Sequence, residues 1–505
     1  MSSVSSYSGS SCDSDAESVS SSLIYTDEES FSTFQIRVLD FALHEIWPDA
    51  TEEEINVERM AGGGENRIIG ISRQPTEQPD THIRYIIRMP RFDNMYLSSQ
   101  VATLQFLHQH SKIPAPDVIK FDDTEDNELN TRYTIQTRIP GQALLYSYPT
   151  LSHEERCRLA RELGRVYSEL LSIRSATSGV LVLPIDGTGP LEILPWKRPE
   201  VPCAREYSNL PVAEDIKKVL QDIFTAQKDY DLRMWPKDTS GPLLMDQFCK
   251  MAAELEADGW FTNCYTSLAH LDLEPRNVLV NPTSDTSSPI ISAILDWDSA
   301  VFGPQFMCCK PPLWLWAWKE DEEEDERTAN DEPSTPEGRQ LKQLFEEAAG
   351  PDYIRFAYEP AYRLARRLVQ FAIGGVGSNM AFKEAEEMLK EWTKIHHEEP
   401  KVSSPTKQIG DCQIGDESSS GEEIEIGKDI STEQTSNGIA NQDEDAASKE
   451  EECTSAQEGD DATNLYEDAT SEKVEESTVE QEENIDIKKD ERIEPSLKEG
   501  VCVIL

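Results

Sequence analysis

A chain of 505 residues has room for one large two-lobed domain or for two or three ordinary ones. Its 96 acidic residues outnumber 47 basic ones, for a formal net charge of -49; this argues against nucleic-acid binding, because affinity for a phosphate backbone needs clustered Lys and Arg. Ten scattered cysteines without a CxxC pair or zinc spacing, a start (MSSVSSYSGSSCDSD) lacking the apolar stretch of a signal peptide, and no run of roughly 20 apolar residues point to a reducing, cytoplasmic setting.

Residues 1–33 are dominated by Ser, Asp and Glu, a composition that buries too little apolar surface to offset the entropy of ordering, so a disordered arm is expected. Strand-like runs follow: INVERMA, then RIIGISR after the glycines at 62–64, then HIRYIIRMPR, then TRYTIQTRI. One helical stretch, SSQVATLQFLHQHS, lies between the third run and the last. Residues 34–140 therefore read as a small antiparallel sheet with one helix packed on it. Gly62, Gly63 and Gly64, between two strands, would let backbone amides approach phosphates; a flexible hairpin turn is the competing reading.

Beyond Pro140-Gly141 the pattern turns helical through residues 141–398. Leu159, Leu163, Val166, Leu170 and Leu171 form a stripe at helical spacing, and Ser152 with Glu155 makes a capping box at its start. Further helices are expected near 211–228, 242–257, 337–349, 358–373 and 380–396, interrupted by the strand-like runs NVLVN and ISAIL. The adjacent Cys308 and Cys309 read as buried free thiols. The acidic run EDEEEDE at 320–326 reads as a solvated loop, since a row of like charges does not converge on an ion.

The chemistry concentrates in residues 268–304, LAHLDLEPRNVLVNPTSDTSSPIISAILDWDSAVFGP. Within it H-x-D-x-x-x-x-N is followed by a hairpin-like interval and a strand ending in Asp-Trp-Asp. Phosphoryl transfer asks a protein mainly to position reactants and neutralise charge. Asp272 suits a base that accepts the proton of an attacking hydroxyl. Asn277 offers a neutral oxygen and Asp296 an anionic one to a magnesium ion. His270 joins the catalytic loop, where bracing by hydrogen bonds fits it better than acting as the base.

This segment resembles the catalytic and metal-binding loops of the aminoglycoside phosphotransferase and choline kinase-like family, which show HGDLHPGN followed by IDWE or IDWD; here they read HLDLEPRN and LDWD. IPAPDVIKFD and TIQTRIPGQAL are similar to the family's IPVP segment and adenine-contacting linker, and GPQFMCCKPPLWLWAW to the stretch after the metal loop in fungal members. The resemblance, from about residue 55 to 395, implies an α+β, bilobal, protein-kinase-like fold with a small antiparallel-sheet N-lobe and a mainly helical C-lobe. It implies Asp272 as base, Asn277 and Asp296 as Mg2+ ligands, ATP or GTP as donor, and a small-molecule hydroxyl, cationic in keeping with the acidic chain, as acceptor. Asp298 carries over only as an accessory acid.

Three departures matter. Leu271 stands where a glycine is frequent. The kinase lysine of the third strand is Arg88, which keeps the charge and adds a planar fork. The helix acid that would position that cation is Gln100, which would orient the guanidinium by a hydrogen bond. These last two support an alternative, a catalytically weak nucleotide-binding scaffold, against which the retained Asp272, Asn277 and Asp296 argue. A protein kinase is disfavoured because no A-P-E signature follows Asp296.

Residues 399–505 read as a disordered acidic tail, with 30 acidic against 9 basic residues over 401–505. The final Cys502-Val503-Ile504-Leu505 fits the C-a-a-X pattern, which implies prenylation and weak membrane tethering; the missing upstream basic cluster argues the other way.

Overall fold

Alternation along a strand sends successive side chains to opposite faces, so a strand that carries both apolar and polar work must divide them by parity. The computed structural model describes residues 29–60, 65–75, 82–91, 97–184, 189–196, 215–237, 239–282, 288–319 and 324–398. All belong to one compact unit; the other, Ser431–Ile504, lies outside the described residues. Strands β1 (Ile55–Arg59), β2 (Asn66–Arg73), β3 (Ile83–Pro90), β4 (Val118–Asp122) and β5 (Tyr133–Thr137) form an antiparallel sheet in the order β1-β2-β3-β5-β4.

Ile69 and Ile71 of β2, Ile87 and Met89 of β3, and Tyr133 and Ile135 of β5 share one face and enter a core with Phe34, Val38, Phe41 and Trp47. Those last residues come from α1 (Phe31–Phe41), its π-helical extension Ala42–Ile46, and the turn beyond. This helix corrects the sequence reading, which ended a disordered arm at residue 33 and placed one helix on the sheet. Phe34, Val38 and Phe41 lie on one helical stripe, and their burial contributes about 1.5–3 kcal/mol each. The opposite parity carries Arg88, paired in register with Thr134, and Gln136.

Helix α2 (Leu97–His110) sends Leu104, Phe106 and Leu107 into the larger core of the helical lobe, Phe106 meeting Phe302 edge to face at 5.8 Å. Gln100 is thereby left on the side of the sheet's polar face.

The link between lobes is fastened rather than loose. Gly141 has φ +141°, and a Cβ there would lie 2.9 Å from the Val280 carbonyl oxygen. Strand β6 (Gln142–Ala143) adds to β7 (Val278–Val280), whose other neighbour is β8 (Ile291–Ile294). In the helical lobe, α3 (His153–Ser172) begins with the expected capping box and packs against α6 (Pro336–Ala357), while α4 (Ile216–Met234) pairs with α5 (Ser240–Ala257). Helices α7 (Pro360–Gly374) and α8 (Asn379–Glu398) complete it. Cys308 and Cys309 are buried as expected, and burial pushes both thiols well above their ordinary range.

Gly164 marks the tightest point of the α3/α6 crossing: a Cβ would sit 2.5 Å from the Phe345 carbonyl oxygen and 2.7 Å from the Ala348 Cβ. Gly164→Ala is expected to lower unfolding free energy by about 1–3 kcal/mol through overpacking, read as a fall in denaturant midpoint with unchanged slope. Among the described residues, no helix is long and apolar enough to cross a membrane.

Candidate active site

Two loops of the helical lobe face the polar side of the sheet. The first leaves the strand Thr266–Ala269 and turns sharply at Leu271, whose φ of +63° is a conformation that side chains with a Cβ adopt only at a cost. Leu271 holds it by packing on the main core. The second leaves β8 and turns at Asp296, φ +66°, into a 3-10 turn over Trp297–Ser299. Trp297 is buried and donates its indole N–H to the Ile294 carbonyl at 3.0 Å, which pins this turn to the sheet.

The loops are tied at Leu295: its amide donates to the Asn277 carbonyl at 2.8 Å, and its carbonyl lies 2.8 Å from His270 Nε2. The Asp272 amide donates to His270 Nδ1 at 3.3 Å, and the His270 ring rests 4.5 Å from that of Trp297. Burial keeps the imidazole neutral by lowering its pKa, against the pull of the Leu295 carbonyl and Asp296. His270 is thus a brace between the loops. Asn277 Nδ2 donates to the Asp272 carboxylate at 2.7 Å and to its carbonyl at 2.9 Å, while Arg276 donates to the other carboxylate oxygen.

Opposite, Arg88 reaches from β3 with one guanidinium nitrogen, Nη2, 2.6 Å from Asp296 Oδ1 and 3.0 Å from Asp298 Oδ2. Burial works against the charge of Arg88, but Asp298 and Asp296 overcome it and hold its pKa above the usual value. Burial likewise resists ionisation of Asp296, yet Arg88 brings its carboxyl below the usual range. Asp298 is pushed upward by burial, which Arg88 only partly offsets. Asn66 Nδ2 donates to Asp298 Oδ2 at 3.1 Å, and Gln100 Nε2 donates to Asp298 Oδ1.

Gln100 therefore departs from expectation: it orients Asp298, not Arg88. Its amide oxygen accepts from Thr134 Oγ1 and Gln136 Nε2, each at 3.3 Å. Asp298, expected as an accessory acid, stands at the centre of the cluster. Asn66, two residues beyond the glycines, carried no expected role, and Arg276 stands where the family pattern HGDLHPGN has glycine. Gly62, Gly63 and Gly64, together with residues 1–28 and the acidic tail 399–505 with Cys502, lie outside the described residues.

Asp272, His270, Asn277, Asp296 and Arg88 are brought into one region. As a metal site, Asn277 and Asp296 present hard oxygen donors, and Asp296 already pairs with a cation, the chemistry that suits Mg2+. Among the described residues, no group of three or more His, Cys, Asp or Glu could enclose an ion, so Mg2+ here would draw its other ligands from phosphates and water.

Behind the first loop, Lys310 Nζ pairs with Glu274 Oε1 at 2.6 Å, and Glu324 accepts from the Trp314 amide. Glu326 accepts from the buried Arg366. Glu324 and Glu326 thus correct the expectation of a wholly solvated loop at 320–326: backbone and guanidinium donors draw both carboxylates inward. Burial and the neighbouring Glu274 push Glu324 up to about 7, with Lys310 opposing. The folded chain holds a proton that the unfolded chain releases near 4.5, so this contribution to stability is complete below about pH 4.5 and is lost as pH rises through about 7. Glu324→Gln is expected to remove this slope. Its stability relative to wild type rises by about 3 kcal/mol between pH 4.5 and 7.5, as checked by urea denaturation at each pH.

Residues 72–307 match the model of the Phosphotransferase enzyme family (APH). Over this segment the chain is similar to that phosphotransferase family. A subtelomeric hrmA-associated cluster protein of Aspergillus fumigatus is 22% identical over 158 residues, 31% of this chain and 29% of that protein. Altered inheritance of mitochondria protein 9 of Yarrowia lipolytica is 25% identical over 198 residues, 37% of this chain and 32% of that protein. The chain thus spans under a third of the length of these curated relatives. Among solved structures, the aminoglycoside phosphotransferase APH(4)-Ia is 16% identical with a TM-score of 0.38, covering 73% of this chain and 100% of that one. The streptomycin–ATP ternary complex of APH(2")-IIa is 12% identical with a TM-score of 0.39, covering 70% and 95%. A small antiparallel sheet followed by a mainly helical lobe gives the chain a bilobal, kinase-like α+β architecture.

Proposed function

We propose that the protein transfers the γ-phosphoryl group of a Mg2+-bound ATP or GTP to a hydroxyl of a small, cationic acceptor. One juxtaposition carries the reading: Asp272 and Asn277 on one loop and Asp296 on the next are tied together at Leu295, facing a guanidinium from the sheet. Asp272 is the base that takes the proton of the acceptor hydroxyl, with Asn277 fixing its carboxylate. Asn277 and Asp296 would hold Mg2+, which supplies charge neutralisation along the phosphates when bound. Arg88 supplies positive charge to the phosphates, and the chain's excess of acidic residues favours a cationic acceptor.

The test is nucleotide consumption by the full chain with Mg2+ across a panel of amino alcohols, amino sugars and neutral polyols, with Asp272→Ala and Asp296→Ala beside it. Turnover above both variants with at least one acceptor is expected; wild type no faster than the variants would sink the enzyme reading. One observation favours a second reading, a nucleotide-binding scaffold of weak activity: Arg88 occupies the very carboxylate that would hold the metal. Binding of Mg-nucleotide without turnover on any acceptor selects it.

A further inference from the structure

The cluster around Asp298 assigns a charge exchange that neither the motif nor the family match describes. A cation that must face phosphates from a partly buried position needs a fixed carboxylate partner, or it relaxes onto whatever anion is nearest. On α2, where such an acid would stand, the residue is Gln100, and its amide does not touch Arg88. Two carboxylates do: Asp296 at 2.6 Å, with 40% of its side chain exposed, and Asp298 at 3.0 Å, with only 14% exposed and so the less open to exchange.

We infer that Asp298 is the permanent anchor of Arg88, replacing the missing acid of α2, and that Gln100 is an amide because it must donate to that relocated carboxylate. This inference rests on the nucleotide-binding reading above for its functional consequence. The hydrogen bonds fix each role. Asp298 collects three donors, from Arg88, Asn66 and Gln100, more than any of them gives to another carboxylate of the cluster. Gln100 receives Thr134 and Gln136 on its oxygen, which leaves its nitrogen to face Asp298. A glutamate at 100 would keep the first two bonds and set a second carboxylate against Asp298. Asp296 is then the exchangeable partner: Mg2+ replaces Arg88 on its carboxylate while Asp298 keeps the guanidinium from leaving the site. Asp298 and Gln100 act through Arg88 and are positioning residues.

The exchange predicts reciprocal rescue in the full chain. Asp298→Asn strips the anchor, and Gln100→Glu adds a repelling charge. The double variant Gln100→Glu with Asp298→Asn restores one carboxylate and one amide in swapped places. Two readouts serve. In urea denaturation, each single variant is expected to weaken folding, with the double recovering at least about tenfold in the unfolding equilibrium constant over the sum of the singles. In equilibrium binding of ATP and GTP titrated with Mg2+, Asp298→Asn is expected to raise the Mg2+ concentration for half-maximal binding by about three- to tenfold, because Arg88 now competes for Asp296. The double variant returns toward wild type, a change that a merely structural role would not move.

Should a single variant fail to fold, recovery of a folded double supports the exchange and an equally unfolded double overturns it. Additive effects on both readouts also overturn it. If wild type binds neither nucleotide, the functional reading falls, and the stability cycle alone decides the exchange.

Discussion

Asp272→Asn is expected to leave Mg-nucleotide affinity within about twofold of wild type while lowering turnover on the best acceptor of the panel by about 10²- to 10⁴-fold. The asymmetry follows from where the carboxylate sits. One oxygen of Asp272 is held by Asn277 at 2.7 Å and the other by Arg276, and neither partner belongs to the sheet on which the nucleotide phosphates would lie. An asparagine keeps the shape and one acceptor oxygen but no longer takes a proton. Binding isotherms for the nucleotide and initial rates for the acceptor, measured on the same preparation, separate the two terms. Parallel loss of both would mean that Asp272 organises the fold of the site instead of serving its chemistry.

Arg88→Ala is expected to cost about 3 kcal/mol of unfolding free energy, the low end for breaking a buried ion pair because Asp296 is partly exposed. Removing the guanidinium leaves Asp298 buried with only the amides of Asn66 and Gln100, and two carboxylates that share one cation then repel each other. Arg88→Lys recovers part of the loss, since an ammonium supplies charge without the planar fork. Denaturant midpoints for the three proteins check the order wild type, Lys, Ala. An alanine variant as stable as wild type would show that the cluster contributes nothing net to folding.

Much of the architecture could be read from periodicity because strand parity and helix stripes leave strong marks. The runs around Ile69, Ile87 and Ile135 became β2, β3 and β5, and the stripe from Leu159 to Leu171 became α3. α1 escaped because its three core residues sit at the edge of a serine- and acid-rich arm, where window composition outweighs spacing. β4 escaped because, at the sheet edge, its alternation sends the apolar Ile119 and Phe121 outward and leaves Lys120 and Asp122 on the half-buried side. In the site, Asp272, Asn277 and Asp296 were legible from spacing along one segment. The roles of Asp298 and Gln100 were not, since each is defined by a partner 198 residues away in the chain, and single-sequence reading sees no such pair. Gln100 looked like a defect beside Arg88; in three dimensions it is the complement of an acid on another loop.

The left-handed Leu271 bears on how this protein can change over time. A glycine at that corner would hold the turn freely and leave the loop's shape to its hydrogen bonds. A leucine accepts about 1–2 kcal/mol of steric cost and fastens the corner to the hydrophobic interior. Asp272 is the next residue, so repacking beneath Leu271 is transmitted to the carboxylate through a single peptide link. Mutations that tune the reaction therefore have a route through the core, far from any surface that touches substrate, and a lineage could drift in activity while every polar residue of the site stays the same.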